Sequence, residues 1–432
     1  MMLNLLLVMV LFLLLLFSGM WIPFGIAIPS LVYILLVQGW PGLNALGFVT
    51  WSSVNSFTLT AIPLFLLLAE LLIRSGVATR VYDGLSRIVR HLPGGLLQTN
   101  IAGCAIFSAI SGSSVATAAG IGSVAMPQLL RRGYSRTMAA GSLAAGGTLG
   151  ILIPPSIAMI VYGSFTDTSV AKLFFAGLIP GLLMTAVFMA YIAASALLSP
   201  TVVPRAGEAS GDDIAIFSLR TASDVLPFVV LIGLTLGSIY MGAVTPTEAA
   251  AFGCLLTLVI GKIWGTLDWP ILSGSIRRAM IAGASLMFII YAAQIFSYAV
   301  SIDGVGERLT KTFVEMHLSK NELLGAIVVL FLILGCFVES IGIMVITLPL
   351  LYPILNSFGV DLIWFGVMMV ILIEIGQLTP PLGINLFVIQ SIWDGKLGEV
   401  IKGVMPFFFL MFAVLCLIWI FPEIATWLPS RM

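Results

Sequence analysis

The sequence predicts an all-α polytopic membrane protein made of two inverted repeats, each with a re-entrant helical hairpin and a broken helix. Three observations carry this prediction. The 432-residue chain is 60% hydrophobic and only 9% charged, which excludes an ordinary soluble protein. Two of its apolar stretches are interrupted by Pro-Pro pairs, Pro154-Pro155 and Pro380-Pro381. A prolyl ring removes an N–H and clashes with the preceding turn, so the helix breaks there. The two halves also share an order of features. Ser111-Gly112-Ser113-Ser114, Pro127, Gly133 and Pro154-Pro155 run parallel to Gly335-Cys336-Phe337-Val338-Glu339-Ser340, Pro349, Gly359 and Pro380-Pro381. Inverted-topology repeats leave this kind of weak internal similarity, and paired breaks in corresponding positions mark a transporter's binding site.

Apolar stretches recur from residue 3 to residue 421 and imply roughly ten to thirteen membrane-embedded helices, some half-length or re-entrant. The first spans are expected at about 3–18 and 20–37. Residues 1–17 lack a basic n-region, so they read as a retained helix rather than a signal peptide. After a helix at about 58–73 come Arg74, Arg80, Arg87, Arg90 and His91, and further on Arg131, Arg132 and Arg136. The positive-inside rule places both clusters in the cytoplasm and the N-terminus outside. Between residues 77 and 93, Arg80, Arg87 and Arg90 fall near one face, with Val81, Leu85, Ile88 and Leu92 near the other. This suits an amphipathic interfacial helix or a plain connecting helix. Ser111 to Ser114 suits the tip of a membrane hairpin, while Gly112, Ala116 and Gly120 equally suit close small-residue packing. The one long polar stretch, residues 199–223, reads as a surface loop between the halves. Thr245-Pro246-Thr247-Glu248 reads as a helix start, with Thr245 as N-cap and Glu248 at N3. The resulting division is 1–96, 97–198, 199–223, 224–320 and 321–432.

The breaks carry the chemistry. A helix ending before a Pro-Pro pair leaves C=O groups unpaired, and the half-helix that follows leaves N–H groups unpaired. The carbonyls and nearby hydroxyls offer a hard, neutral oxygen cage to a cation such as Na+. The half-helix N-terminus favours an anion, typically a carboxylate. Acids inside spans are functional candidates by default: Glu70, Glu248, Glu339 and Glu374, with Asp303 near a span end. Glu339 and Glu374 could help hold a cation, whereas Glu248 fits a helix cap better. The formal net charge is zero, so nothing points to nucleic acid. Cys104, Cys254, Cys336 and Cys416 have the spacing of neither a disulfide framework nor a zinc site. Two histidines, His91 and His317, both in polar flanks, leave a Ser111–His91 hydrolase as a contrasting reading. A channel would usually show charged rings or filter carbonyls. With no ATP-binding loop, any transport is secondary.

The run from Ser111 to Ser123, then Arg132-Gly133-Tyr134, then Gly147 to Ser156 resembles the large membrane subunit of TRAP (tripartite ATP-independent periplasmic) transporters. Ala176-Gly177-Leu178-Ile179-Pro180-Gly181 and Thr379 to Phe387 fit the same family, and the resemblance spans essentially the whole chain. It implies an elevator-type secondary transporter in the bacterial inner membrane. It also implies a periplasmic binding protein that delivers an organic acid, a separate small four-helix membrane subunit, and coupling to two or more Na+ ions. Carried over by motif, one Na+ site would use Ser111 and Ser114 with backbone around Gly150, Ile153 and Pro155. A second would use Gly335 with Gly376, Thr379 and Leu382. The carboxylated substrate would lie between the hairpin tips near Ser113, Ser340 and Asn385. The family often has Asp where this chain has Glu339. C4-dicarboxylates, sialic acids, sugar acids and keto acids all remain open, and a stand-alone Na+-coupled dicarboxylate carrier is the alternative.

Overall fold

The computed structural model describes residues 18–432 except Arg90, 200–218, 265–266, Asp303 and Leu382, together with residues 8, 10–12, 14 and 15. Most of the first expected span and of the polar inter-repeat loop therefore lies outside the described residues. Among the described residues all regular structure is helical. Among these residues, seven helices are long and apolar enough to cross a membrane, or eight if the pair Ala61–Arg74 and Val77–Val89 forms one bent span. Shorter apolar helices accompany them, as the hairpin and half-helix reading anticipates.

The N-terminal part forms α1 (Ile22–Gln38), α2 (Leu46–Val54), α3 (Ala61–Arg74) and α4 (Val77–Val89). A 67° bend separates α3 from α4, at Gly76 with φ 74°, a value that costs a glycine little. A first hairpin follows, α5 (Leu96–Ser111) and α6 (Ser114–Arg131). The first broken helix is α7 (Arg136–Leu152) and α8 (Ile157–Thr166), and α9 (Val170–Leu198) leads out of it. Beyond the loop come α10 (Leu219–Tyr240), α11 (Pro246–Ile263), α12 (Trp269–Ile302) and α13 (Val305–Glu315). The second hairpin is α14 (Lys320–Gly335) and α15 (Ser340–Ser357). The second broken helix is α16 (Leu362–Gln377) and α17 (Ile384–Ile392), followed by α18 (Leu397–Ile420) and the short α19 (Glu423–Thr426).

The correspondence between the halves extends to length. Hairpin arms and half-helices measure 16, 18, 17 and 10 residues in the first half and 16, 18, 16 and 9 in the second. The halves also exchange partners: α8 packs on α15, and α17 packs on α6. Around this core, α1, α2 and α11 pack with α3 or α12, and α10 packs on α4 and α11. The outer helices turn Leu255, Val259, Ile263, Leu226 and Val229 outward, as lipid-facing surfaces do.

Helix α7 is the centre of the core, with every residue from Met138 to Leu152 buried. Its small residues explain how three neighbours reach it at once. A Cβ on Gly147 would stand 2.6 Å from the Ala118 Cβ of α6, and one on Gly146 2.9 Å from the Cys104 Sγ of α5. Gly141 meets the backbone of Gly403 on α18. The small-residue reading of the first hairpin holds alongside the hairpin itself: Gly120 lies under Phe107 of the opposite arm.

Helix α4 differs from its expected form. Val77, Ala78, Val81, Tyr82 and Leu85 are buried, but Ile88 and Leu92 are exposed. The helix ends at Val89 and packs between α5 and α10. Arg87 pairs with Asp224 of α10 at 3.0 Å. On the core side, the Tyr82 hydroxyl donates to Asn100 Oδ1 (2.9 Å), and Asn100 Nδ2 donates to Ser142 Oγ (3.0 Å). All three side chains are buried. Removing the middle member strands the tyrosine hydroxyl, which costs about 1–3 kcal/mol. Asn100→Leu is therefore expected to lower the thermal midpoint of the purified protein in detergent. Adding Tyr82→Phe to it should cost less than the two single effects combined, and full additivity would show that the chain of bonds contributes nothing.

Candidate functional site

The first hairpin turns where the sequence places the turn. Helix α5 stops at Gly112 in the left-handed region (φ 59°), and Ser113 restarts the chain as the N-cap of α6, its Oγ accepting from Ala116 N. The tip docks on the first break. Ile157 N, at the head of α8, donates to Gly112 O at 3.2 Å, and a Cβ on Gly112 would lie 2.9 Å from Pro155 O. Gly150 faces the tip so closely that a Cβ there would lie 2.5 Å from Ser113 O and 2.7 Å from Thr117 Oγ1. Ser111 Oγ is 2.6 Å from that same Thr117 Oγ1. Ser111, Ser113, Gly150 and Pro155 are thus brought to one place, and Thr117 joins them. Ile153 extends its side chain over Gly181 of α9. The donor set is uncharged oxygen, hydroxyls and carbonyls, which suits a hard monovalent cation. Thr117 was not singled out by the sequence reading, although its place three positions after Ser114 on one helix face offered a signal for its joining this cluster.

The second hairpin meets the second break at a pair of facing glycines. A Cβ on Gly335 would lie 2.5 Å from Gly376 Cα, and the converse holds. Thr379 Oγ1 donates to Ile375 O at 2.7 Å, closing the end of α16. Leu382 lies outside the described residues. Glu339 is the N-cap of α15: its Oε1 accepts from Ile341 N (3.4 Å) and from Ser340 Oγ (3.1 Å). The glutamate at this tip thus ends a helix with its charge at the positive pole. Thr245 and Glu248 form the expected capping box at the head of α11.

Asn385, in the first turn of α17, is fully buried and crosses to the first half. Its Nδ2 donates to Ser114 Oγ at 2.6 Å and to Ala144 O at 3.5 Å. Ser114 and Asn385, assigned by motif to different ligands, are therefore partners of each other. Ser340 is tied to Glu339 instead. The hydrolase reading fails on position: Ser111 is fully buried against Thr117, whereas His91 is exposed.

Comparisons with known proteins show the family of the chain. The family model described as "Tripartite ATP-independent periplasmic transporter, DctM component" matches residues 8–424. The C4-dicarboxylate TRAP transporter large permease protein DctM of Pseudomonas aeruginosa is 35% identical, covering 90% of each chain. The sialic acid TRAP transporter permease protein SiaT of Haemophilus influenzae is 32% identical over 97% of this chain and 67% of its own length. The isethionate TRAP transporter permease protein DctMQ of Oleidesulfovibrio alaskensis is 34% identical over 96% of this chain and 64% of its own. In fold, the crystal structure of the Alcanivorax borkumensis YdaH transporter, described as having an unusual topology, superimposes with a TM-score of 0.64 at 13% identity, covering 94% of this chain and 96% of that one. These relatives are permease subunits rather than enzymes, and the apolar helices place the chain across the bacterial inner membrane. The hairpins docked on their breaks thus belong to a transport protein, and the chain is a member of the DctM family, the large permease component of TRAP transporters.

Proposed function

We propose that this chain carries a small organic anion, most simply a carboxylate, into the cell together with Na+, by an elevator movement of the hairpin-bearing core within the outer helices. A periplasmic binding protein delivers the solute, and a small four-helix membrane subunit completes the complex. The observation that carries the reading is the docking of the first hairpin tip on the first break around Gly150. It gathers Ser111 Oγ, Thr117 Oγ1 and Ser113 O into one uncharged oxygen set, with Pro155 O beside Gly112 at the same tip. The glycine contact of Gly335 with Gly376, next to Thr379, is the counterpart for a second ion. The matched helix lengths and exchanged packing of the halves support inverted repeats. Outer helices α12 and α13 pack on α15, and α3 and α4 on α5; these are the seams along which the elevator movement slides. Relatives named for C4-dicarboxylate, sialic acid and isethionate share an anionic solute, so an anion is the common denominator.

The test is uptake of labelled organic acids into proteoliposomes holding this chain and its small subunit, with and without an inward Na+ gradient and the cognate binding protein. Uptake that needs both is the expected result. Uptake with Na+ alone would favour the stand-alone carrier, and uptake indifferent to Na+ would remove the coupling. Thr379→Ala is expected to raise the Na+ concentration for half-maximal uptake about tenfold, equivalent to ~1.4 kcal/mol. An unchanged Na+ dependence removes Thr379 from the site.

A further inference from the structure

The side of α16 turned away from the second hairpin holds polar atoms that the reading above leaves unused. Glu374 is fully buried, and among the described residues neither Oε1 nor Oε2 has a hydrogen-bond partner. Gln377, 2% exposed, has an Oε1 that is likewise without a partner. The two residues are three apart on one helix, so their side chains are neighbours on one face. That face is not the one described above. Gly376 meets Gly335, and Glu374, two residues earlier, projects about 200° round the helix from it.

A carboxylate taken out of water is strongly destabilising unless a counter-charge or a proton comes with it. Among the described residues, no basic side chain on the helices packed around it supplies the charge. Helix α16 packs against α7, α8, α9, α14, α15, α17, α18 and α19. The basic residues of these helices are Arg136, Lys172, Lys320 and Lys402, and all four are exposed. Three oxygen acceptors on one turn, with no hydrogen-bond donor on them among the described residues, are the inverse image of a small bare cation.

We propose that Glu374 and Gln377 hold a Na+ ion inside the core, separate from the two oxygen sets at the hairpin tips. Glu374 gives this ion a full counter-charge, where the hairpin sites offer only dipoles. The ion thereby neutralises the core before it crosses the bilayer. This inference rests on the proposed Na+-coupled transport only for the ion's identity.

The experiment counts bound 22Na+ on the purified complex at saturation, without substrate, for wild type, Glu374→Gln and Thr379→Ala. Glu374→Gln is expected to lose one Na+ per chain. Thr379→Ala should keep that ion while its hairpin site weakens. In proteoliposomes, Glu374→Gln should shift the zero-flux potential as one coupled Na+ fewer requires. An unchanged count with unchanged affinity in Glu374→Gln overturns the proposal and marks Glu374 as a permanently neutral carboxyl. If that variant does not fold, Glu374→Asp and Gln377→Met answer the same question. A Na+ affinity lowered about tenfold in both supports the site, and unchanged affinity in both overturns it. Because the count needs no solute, absence of uptake in the wild type would defeat the transport reading and leave this one standing.

Discussion

Gly150→Ala is expected to remove most Na+-driven uptake while the protein still inserts and folds. The new Cβ would stand 2.5 Å from Ser113 O and 2.7 Å from Thr117 Oγ1, in the space between hairpin and break where the oxygen set converges. The backbone there has little freedom to retreat. Ser113 O already accepts from Thr117 N at 3.0 Å, and Gly112 O accepts from Ile157 N at 3.2 Å. Overpacking of this kind costs about 1–3 kcal/mol, and about 2 kcal/mol of it charged to ion binding is roughly a thirtyfold loss of Na+ affinity. Uptake against Na+ concentration measures it directly. Gly325→Ala, where an added Cβ meets nothing within 4 Å, is the matched control and should behave as wild type. Equal Na+ dependence in the two variants would show that the hairpin tip does not form the ion site.

Gly141→Val should have the largest effect on stability. Gly141 of α7 faces Gly403 of α18 with backbone against backbone, and even a Cβ at either position would overlap main-chain atoms of the other helix. Main chain cannot swing aside as a flexible side chain can, so α7 and α18 must separate along their length. The cost is expected at the top of the overpacking range, about 3 kcal/mol or more, and α7 is the helix against which α5, α6 and α18 all pack. Thermal unfolding in detergent should show a clear drop in the midpoint together with loss of the folded fraction on size exclusion. A midpoint equal to wild type would mean that the two helices lie further apart than this packing.

The sequence already located the interruptions of the helices, and the reason is local. Pro154-Pro155 and Pro380-Pro381 cannot continue a helix. Gly112 alone of its neighbours tolerates the left-handed turn, and Thr245 with Glu248 needs only its own first turn to form a capping box. The motif put Ser111, Ser114, Gly150, Ile153 and Pro155 in one set and Ser113 in another; in the fold Ser111, Ser113, Gly150 and Pro155 lie together, because the hairpin and its break are near in the chain and their glycines announce close approach. Pattern was less reliable on α4. Val81 and Leu85 of the expected apolar face are buried, but Ile88 and Leu92, with the right spacing for the same face, are exposed.

Side-chain partnership was decided by tertiary structure alone. Asn385 bonds to Ser114 across 271 residues, so two residues assigned to substrate and ion are joined to each other. Glu339, an acid that could have held a cation, spends its Oε1 on the head of α15. Glu374, indistinguishable from it by sequence, is left without a hydrogen-bond partner among the described residues. Helix breaks and caps follow from steric limits within a few residues, so the chain alone determines them. Which oxygens remain free depends on how small-residue faces bring distant helices into contact, and that is settled only when the core packs.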